Sequence, residues 1–221
     1  MEKAPQNLEI VLQYFADFTP RQLEQLAALY ELYRRENEKV NVVSRKDIDS
    51  LYEKHVLHSL SIAALTEFLP GTHILDIGTG GGFPGIPLAI FFPESRFYLA
   101  DSIGKKIRVV ETVAGAIGLT NVTVHNTRVE QIRNLRFDYT VSRAVAPLKD
   151  LWRWSKPLLR KRSSVQTAPP NDCLAPGLIC LKGGDLAQEI SESGVRPSVF
   201  DIHEIFPEEQ FKEKFIVYVP V

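Results

Sequence analysis

Cysteine is scarce in this chain. Cys173 and Cys180 are the only two among 221 residues. Two thiols make no disulfide framework, and their spacing fits no zinc motif, so no metal centre is expected. They read as reduced thiols of a cytosolic protein. Long hydrophobic runs are missing too. The longest, Ile86 to Phe92, is short and broken by Pro87. A membrane-spanning helix needs about 20 apolar residues, so no segment is expected to cross a bilayer. Met1 to Phe15 has early acids and no continuous apolar stretch, so a secretory signal is not expected. Asn121-Val122-Thr123 spells a glycosylation sequon that, without such a signal, reads as chance. Bulk charge is also lacking: the formal net charge is -1. That argues against holding nucleic acid by overall basicity, while leaving room for a local basic face. Internal repeats are not evident.

What the chain does have is an ordinary globular balance, with 44% hydrophobic and 24% charged residues. Its length suits one domain with an appendage. Residues 1–70 read as a helical appendage. Thr19 is a candidate N-cap, with Pro20 at the first helical position. Leu23, Leu26, Leu29 and Tyr33 follow at helical spacing, and Arg21, Glu24, Arg34 and Arg35 take the polar face. A further helix is predicted from Ile48 to Leu69, ended by Pro70-Gly71.

The pattern changes at His73, and residues 71–221 read as the main domain. Strands are predicted at Ile74 to Ile77, Arg96 to Ala100, Val122 to Val124, Phe137 to Ser142 and Leu178 to Leu181. Between them fall helical stretches, notably Lys105 to Ile117, stopped by Gly118, and Leu148 to Leu159; Leu186 to Ser191 follows the fifth strand. Alternating strand and helix implies an α/β fold with a mostly parallel sheet covered on both faces. Two final strands, Val199 to Ile205 and Phe215 to Val219, have only a loop between them, which predicts a C-terminal antiparallel hairpin. Residues 160–176 have no hydrophobic period and hold basic residues, serines and prolines; they read as a flexible surface loop.

The strongest chemical signal is the run from Asp76 to Gly85, at a strand-to-helix junction. Glycines there let backbone approach a ligand. In open α/β sheets, ligands bind outside the carboxyl ends of strands. Asp101 ends the next strand, where a carboxylate can accept from both ribose hydroxyls of an adenosine. Two cofactors remain open. Gly80, Gly82 and Gly85 satisfy the dinucleotide pattern, which permits a nicotinamide-dependent oxidoreductase. A pyrophosphate, however, needs the N-terminus of the next helix, and Phe83 and Pro84 occupy that entrance. S-adenosylmethionine has no phosphate; Asp76, Gly78, Gly80 and Gly82 then serve its amino-acid end, and Phe83 gives apolar cover.

The run Asp76-Ile77-Gly78-Thr79-Gly80-Gly81-Gly82-Phe83-Pro84-Gly85-Ile86-Pro87-Leu88-Ala89-Ile90 resembles the signature of the ribosomal RNA small-subunit methyltransferase G family, earlier named glucose-inhibited division protein B. Further runs resemble that family in the same order. They are Asn41 to Ser44, Lys54-His55 with Ser59, Asp101 to Lys106, Arg128 to Glu130, Ser142 to Ala144, and Lys182-Gly183. The resemblance spans roughly Asn37 to Asp185. One departure is His58, where the family usually has aspartate. The resemblance implies a Rossmann-like methyltransferase that moves a methyl group from S-adenosylmethionine to N7 of a guanine in small-subunit (16S) ribosomal RNA. It implies cofactor contacts at Gly78 and Phe83, at Val129 and Glu130 near the adenine, and at Arg143. A methyltransferase with a non-RNA acceptor is the alternative, since fold does not choose the acceptor.

Guanine N7 has a lone pair and no proton to lose, so no general base is required; orientation would carry the rate. Arg143 and Lys182, at the ends of the fourth and fifth strands, are the expected orienting residues. Arg128, Arg143, Lys182 and His55 are the expected RNA contacts, each set against a structural role. Lys105, Lys106 and Arg108, and the cluster Lys156, Arg160, Lys161 and Arg162, are candidate phosphate binders or merely solvated faces. Trp152 and Trp154 could stack bases, though helical spacing puts at least one in the core. The expected partner is ribosomal RNA or a ribosomal particle, the expected location cytoplasmic, and the expected state monomeric.

Overall fold

A computed structural model describes residues 7–143, 145–160 and 173–221. The predicted loop at 160–176 therefore falls mostly outside the described residues. The chain opens with the short helix α1 (Glu9–Leu12) and the long helix α2 (Pro20–Lys39). Thr19 caps α2 through its hydroxyl, and Gln22 reaches back to the Thr19 N–H, so two donors at the helix start are satisfied reciprocally.

The helix predicted from Ile48 to Leu69 is shorter and less regular. A 3-10 turn (Ile48–Ser50) leads into a π-helical segment (Tyr52–Leu57) and then α3 (His58–Leu65). It stops at Thr66, which turns extended before Pro70 is reached. The main unit follows as β1 (His73–Ile77), α4 (Gly85–Phe91), β2 (Arg96–Asp101), α5 (Gly104–Ala116), β3 (Val122–Asn126), a 3-10 turn (Val129–Gln131), β4 (Tyr139–Arg143), α6 (Leu148–Ser155), β5 (Gly177–Gly183), α7 (Ala187–Ser193), β6 (Ser198–Asp201), α8 (Ile202–Ile205), a 3-10 turn (Glu209–Phe211) and β7 (Lys214–Pro220). The strand predicted to run to Ile205 ends at Asp201. There the Asp201 carboxylate accepts from the His203 N–H and starts α8 instead. The helix predicted to reach Leu159 closes at Ser155.

The seven strands form one sheet in the order β3-β2-β1-β4-β5-β7-β6. The pairs among β1 to β5 are parallel, while β7 is antiparallel to both β5 and β6. The hairpin expected at the C-terminus is thus present, with β7 inserted between β5 and the edge strand β6.

Because strand side chains alternate, each strand feeds two cores. Ile74, Val141, Ile179 and Leu181 face a core shared with Leu26, Leu29 and Tyr33 of α2 and with Leu57 and Leu60. Leu75, Ile77, Leu178 and Cys180 face a second core with Leu148 and Leu151 of α6. The first face also ties α2 to its neighbours by polar bonds. Gln22 donates to the carbonyls of Ile90 and Phe91 at the end of α4, and Gln25 and Arg21 donate to Ile117 at the end of α5. The last carbonyls of a helix have no partner within it, so α2 supplies donors where two helices run out of their own. Arg21, expected on the solvent face, contributes one of them.

Candidate functional site

The carboxyl ends of β1, β2 and β4 and the turn after β3 border a cavity of about 550 Å³. Its walls include Gly78, Gly80, Phe83, Asp101, Arg128, Val129, Glu130 and Arg143, eight residues picked out from the sequence. Val42, Lys106, Val145 and Trp154 line it as well. Three further residues of the expected site are placed elsewhere.

The glycine turn is built around Asp76. One carboxylate oxygen accepts from the Thr79 hydroxyl at 2.6 Å and from the Gly85 N–H at 2.9 Å. The other has no partner among the described residues. Asp76 is fully buried beneath the turn, and burial pushes its carboxyl up to about 7, against the pull of these bonds and of the Arg143 charge. Asp76, expected at the cofactor's amino-acid end, is placed beneath the turn, where it bonds the loop from Thr79 to Gly85. Strand alternation is the reason: Asp76 shares the face of Ile74, toward the helices, not the cavity. Gly85 must lack a side chain, because a Cβ there would lie 2.7 Å from that Asp76 oxygen.

Gly78 adopts φ +65°, and a Cβ there would strike the Val145 side chain at 2.7 Å. Glycine lets the loop after β4 close over the turn. Asp101 faces the cavity with both oxygens fixed: one accepts from the Gly80 N–H at 3.0 Å, the other from the Ile103 N–H at 2.8 Å. Each oxygen keeps acceptor capacity for a ligand hydroxyl. At the start of α4 the Gly85 N–H is taken by Asp76, the Ile86 N–H by Gly82 and the Leu88 N–H by Pro84, while Pro84 and Pro87 have none. The backbone donors that a pyrophosphate would use are already bonded, which argues against the dinucleotide reading.

Arg143 stands on the inner wall. Its guanidinium donates to the Lys54 carbonyl at 3.3 Å and to His55 Nδ1 at 2.9 Å, and lies 5.1 Å from the centre of the Phe83 ring. Burial pulls its pKa down to about 10, with Asp76 and Tyr33 opposing. Its partners are a carbonyl, a ring and a neutral imidazole, so its charge is not neutralised by a contacting carboxylate, and part of the five-donor fork is unused.

His55, expected from the sequence as an RNA contact, is placed against Arg143 and is not among the residues lining this cavity. Burial and the Arg143 charge hold it neutral, with a pKa lowered to about 3. It also packs on Phe83 with centroids 5.2 Å apart. The π-helical segment carries both Arg143 partners, and an ion pair of Lys54 with Asp47 at 2.5 Å fastens it. His58, at the position of the family aspartate, is likewise neutral, lowered to about 3 mainly by burial, and stacks near Phe211.

Lys182 is likewise placed away from this cavity. Its ammonium donates to the Ala146 carbonyl at 2.5 Å and to Glu189 at 2.6 Å, away from the cavity. Glu189 also accepts from the Leu148 N–H at the start of α6. Lys182 shares the face of Leu178 and Cys180, opposite to that of Arg143. Its bonds tie β5 to Ala146 and to Glu189 of α7.

Sequence reasoning missed Tyr33 and Asn37. The buried Tyr33 hydroxyl donates to the Gly81 carbonyl at 2.6 Å, and its ring packs on Phe83 with centroids 4.8 Å apart. The Asn37 amide accepts from the Val42 and Val43 N–H groups and donates to the Val43 carbonyl, which holds Val42 on the cavity wall. A tyrosine on an apolar helix face is a usable signal, because its hydroxyl needs a partner when buried. Trp154 lines the cavity, and its indole N–H has no partner among the described residues.

Comparison with known proteins follows the same lines. A family model described as rRNA small subunit methyltransferase G matches residues 22–167. A ribosomal RNA small subunit methyltransferase G of Bacteroides thetaiotaomicron is 53% identical over 211 residues, covering 96% of this chain and 98% of the relative. A relative of the same name from Cytophaga hutchinsonii is 49% identical over 213 residues, covering 96% of this chain and 99% of its own. Among solved structures, a mutant of MtNAS in complex with S-adenosylmethionine superposes with a TM-score of 0.56 at 17% identity, covering 90% of this chain and 76% of that one. At that identity the likeness shows a shared fold alone.

Proposed function

The chain belongs to the ribosomal RNA small subunit methyltransferase G family, and from that premise we propose that it methylates N7 of a guanine in small-subunit RNA, with Arg143 orienting the base. Methyl transfer from S-adenosylmethionine to small-subunit ribosomal RNA is the reaction of this chain. The cavity residues suit that cofactor. Asp101 would accept the ribose hydroxyls, Val129 and Glu130 would flank the adenine, and backbone at Gly78 and Gly80 would meet the amino-acid end. Phe83 would give an apolar wall beside the reacting centre. When bound, the cofactor supplies a methyl group on a cationic sulfur.

The observation that carries the guanine reading is the state of Arg143. It is half-buried, hydrogen-bonded to Lys54 and His55, and without a contacting carboxylate among the described residues. A guanidinium fork suits guanine O6 or an RNA phosphate and would fix the base in line with the methyl group. No proton must leave N7, and His55 could not take one, since its Nδ1 faces Arg143. We infer further that the enzyme works as a monomer in the cytoplasm on ribosomal RNA or a ribosomal particle; no helix among the described residues is long and apolar enough to cross a membrane.

The test is incubation with methyl-labelled S-adenosylmethionine and small subunits lacking the modification, followed by nuclease digestion and mass spectrometry. One N7-methylguanosine in the small-subunit RNA is the expected result. A label on another atom or another molecule refutes the acceptor reading.

A further inference from the structure

A second cavity, of about 560 Å³, adjoins the first. The two share Val129, Glu130 and Trp154 as a common wall. Its origin is topological. A parallel crossover usually carries a helix, but the link from β3 to β4 holds only the 3-10 turn Val129–Gln131. The loop after that turn and the end of α6 therefore leave a groove between them.

Its character is basic above and apolar below. Ile132, Leu158 and Trp154 line it together with Arg133, Arg136 and Arg153. Arg153 is paired with Asp150 at 3.0 Å. The hydrogen bonds of Arg133 go to the carbonyls of Glu130 and Ile132, and that of Arg136 to Leu135, so no carboxylate among the described residues neutralises either exposed guanidinium. Glu130 is the one acid among the described lining residues. This concentration of positive charge stands out in a chain whose net charge is -1.

We propose that this groove binds a single-stranded stretch of the substrate RNA beside the target nucleotide, with phosphates on Arg133 and Arg136 and a base against Trp154. The proposal rests on the RNA-methylating function above. Unpaired guanidinium groups beside an apolar, aromatic floor are the elements with which proteins hold single strands: charge follows the backbone and a ring accepts a base. The wall shared with the cofactor cavity puts such a strand at the edge of the reaction site. A protein partner would not require two uncompensated arginines, so charge complementarity favours RNA.

The experiment compares the wild type with Arg133→Ala/Arg136→Ala and Arg133→Lys/Arg136→Lys. Binding of protein-free small-subunit RNA is measured by filter retention across a salt series. S-adenosylmethionine affinity is measured by calorimetry. The alanine variant is expected to bind RNA at least about tenfold more weakly, because it loses two charge-assisted contacts to phosphate. Its salt slope should fall by about 1.4, one single-strand phosphate per arginine. The lysine variant should keep the slope, and cofactor affinity should not change. Unaltered RNA affinity and slope would overturn the proposal. So would loss of cofactor affinity in the alanine variant, which would make the rim a support of the Val129 turn. Weakened methylation of assembled subunits with unaltered binding of naked RNA would also overturn it and point to a ribosomal protein in the groove. If the wild type binds RNA but labels none, the functional reading fails separately, and the slope comparison still decides the groove.

Discussion

Arg143 ends β4 and Lys182 lies near the end of β5, side by side in the sheet, yet they serve opposite faces. Arg143 turns toward α2 and the π-helical segment, where it is half-buried, borders the cavity and contacts no carboxylate among the described residues. Lys182 turns toward α6 and α7, where Glu189 neutralises it and the Ala146 carbonyl uses a second donor. A cation at a strand's carboxyl end is near the site by topology. The strand's alternation then decides whether it faces the ligand or the scaffold. A charge without a contacting counter-charge has interactions left to give; one already paired does not.

The contrast between these faces can be broken by substitution. Arg143→Met should reduce methyl transfer at least about a hundredfold, because misplacing a reacting group costs that much. Lys182→Met should instead lower the melting temperature, leaving Glu189 without its partner, while transfer falls less than about tenfold. Initial rates and melting curves of both proteins check this pair. Equal losses of rate would erase the distinction.

Asp101 sharpens the same comparison, being a carboxylate on the cavity wall where Asp76 lies below it. Asp101→Ala should weaken S-adenosylmethionine binding at least about tenfold, through loss of charge-assisted bonds to the ribose. Calorimetry showing unaltered affinity would remove Asp101 from the site.

Asp76 predicts a pH effect with a definite sign. Its folded carboxyl titrates near about 7, against 3.8 unfolded, so the folded state binds the extra proton between these values. Stability from this group is complete below about pH 4 and is lost as pH rises toward 7. The melting temperature of the wild type, taken relative to Asp76→Asn at each pH, should therefore decline across that window. A flat difference would mean that Asp76 is not held protonated by burial.

The smallest expected effect belongs to Tyr33→Phe. Removing its bond to the Gly81 carbonyl should cost about 1 kcal/mol of stability and loosen cofactor binding a few-fold. Unaltered melting and binding would show that α2 does not support the glycine turn.

Much of this site was legible before any coordinates. The glycine turn, Asp101, Phe83 and Arg143 meet at one cavity because all lie at strand ends or just beyond, and strand ends can be read from composition and punctuation; Val129 and Glu130, which line it too, came from the family resemblance. Asp76 and Lys182 do not line that cavity, because proximity in a motif does not set a side chain's direction. Their side-chain parity, read against Ile74 and against Cys180, gives that direction. The surroundings of His55 depend on a partner 88 residues away, which no local pattern shows. The π-helical turn that brings them together carries no propensity signal.

Local sequence determined which segments are helices and strands, where the ligand turn lies and which residue types reach it. Those follow from periodicity, caps and glycine conformation, all properties of neighbours along the chain. Only the tertiary structure decided which charges are neutralised, that α2 caps two other helices, and that a groove opens beside the cofactor cavity. These depend on contacts between residues far apart in sequence, and on how deeply packing removes each group from water.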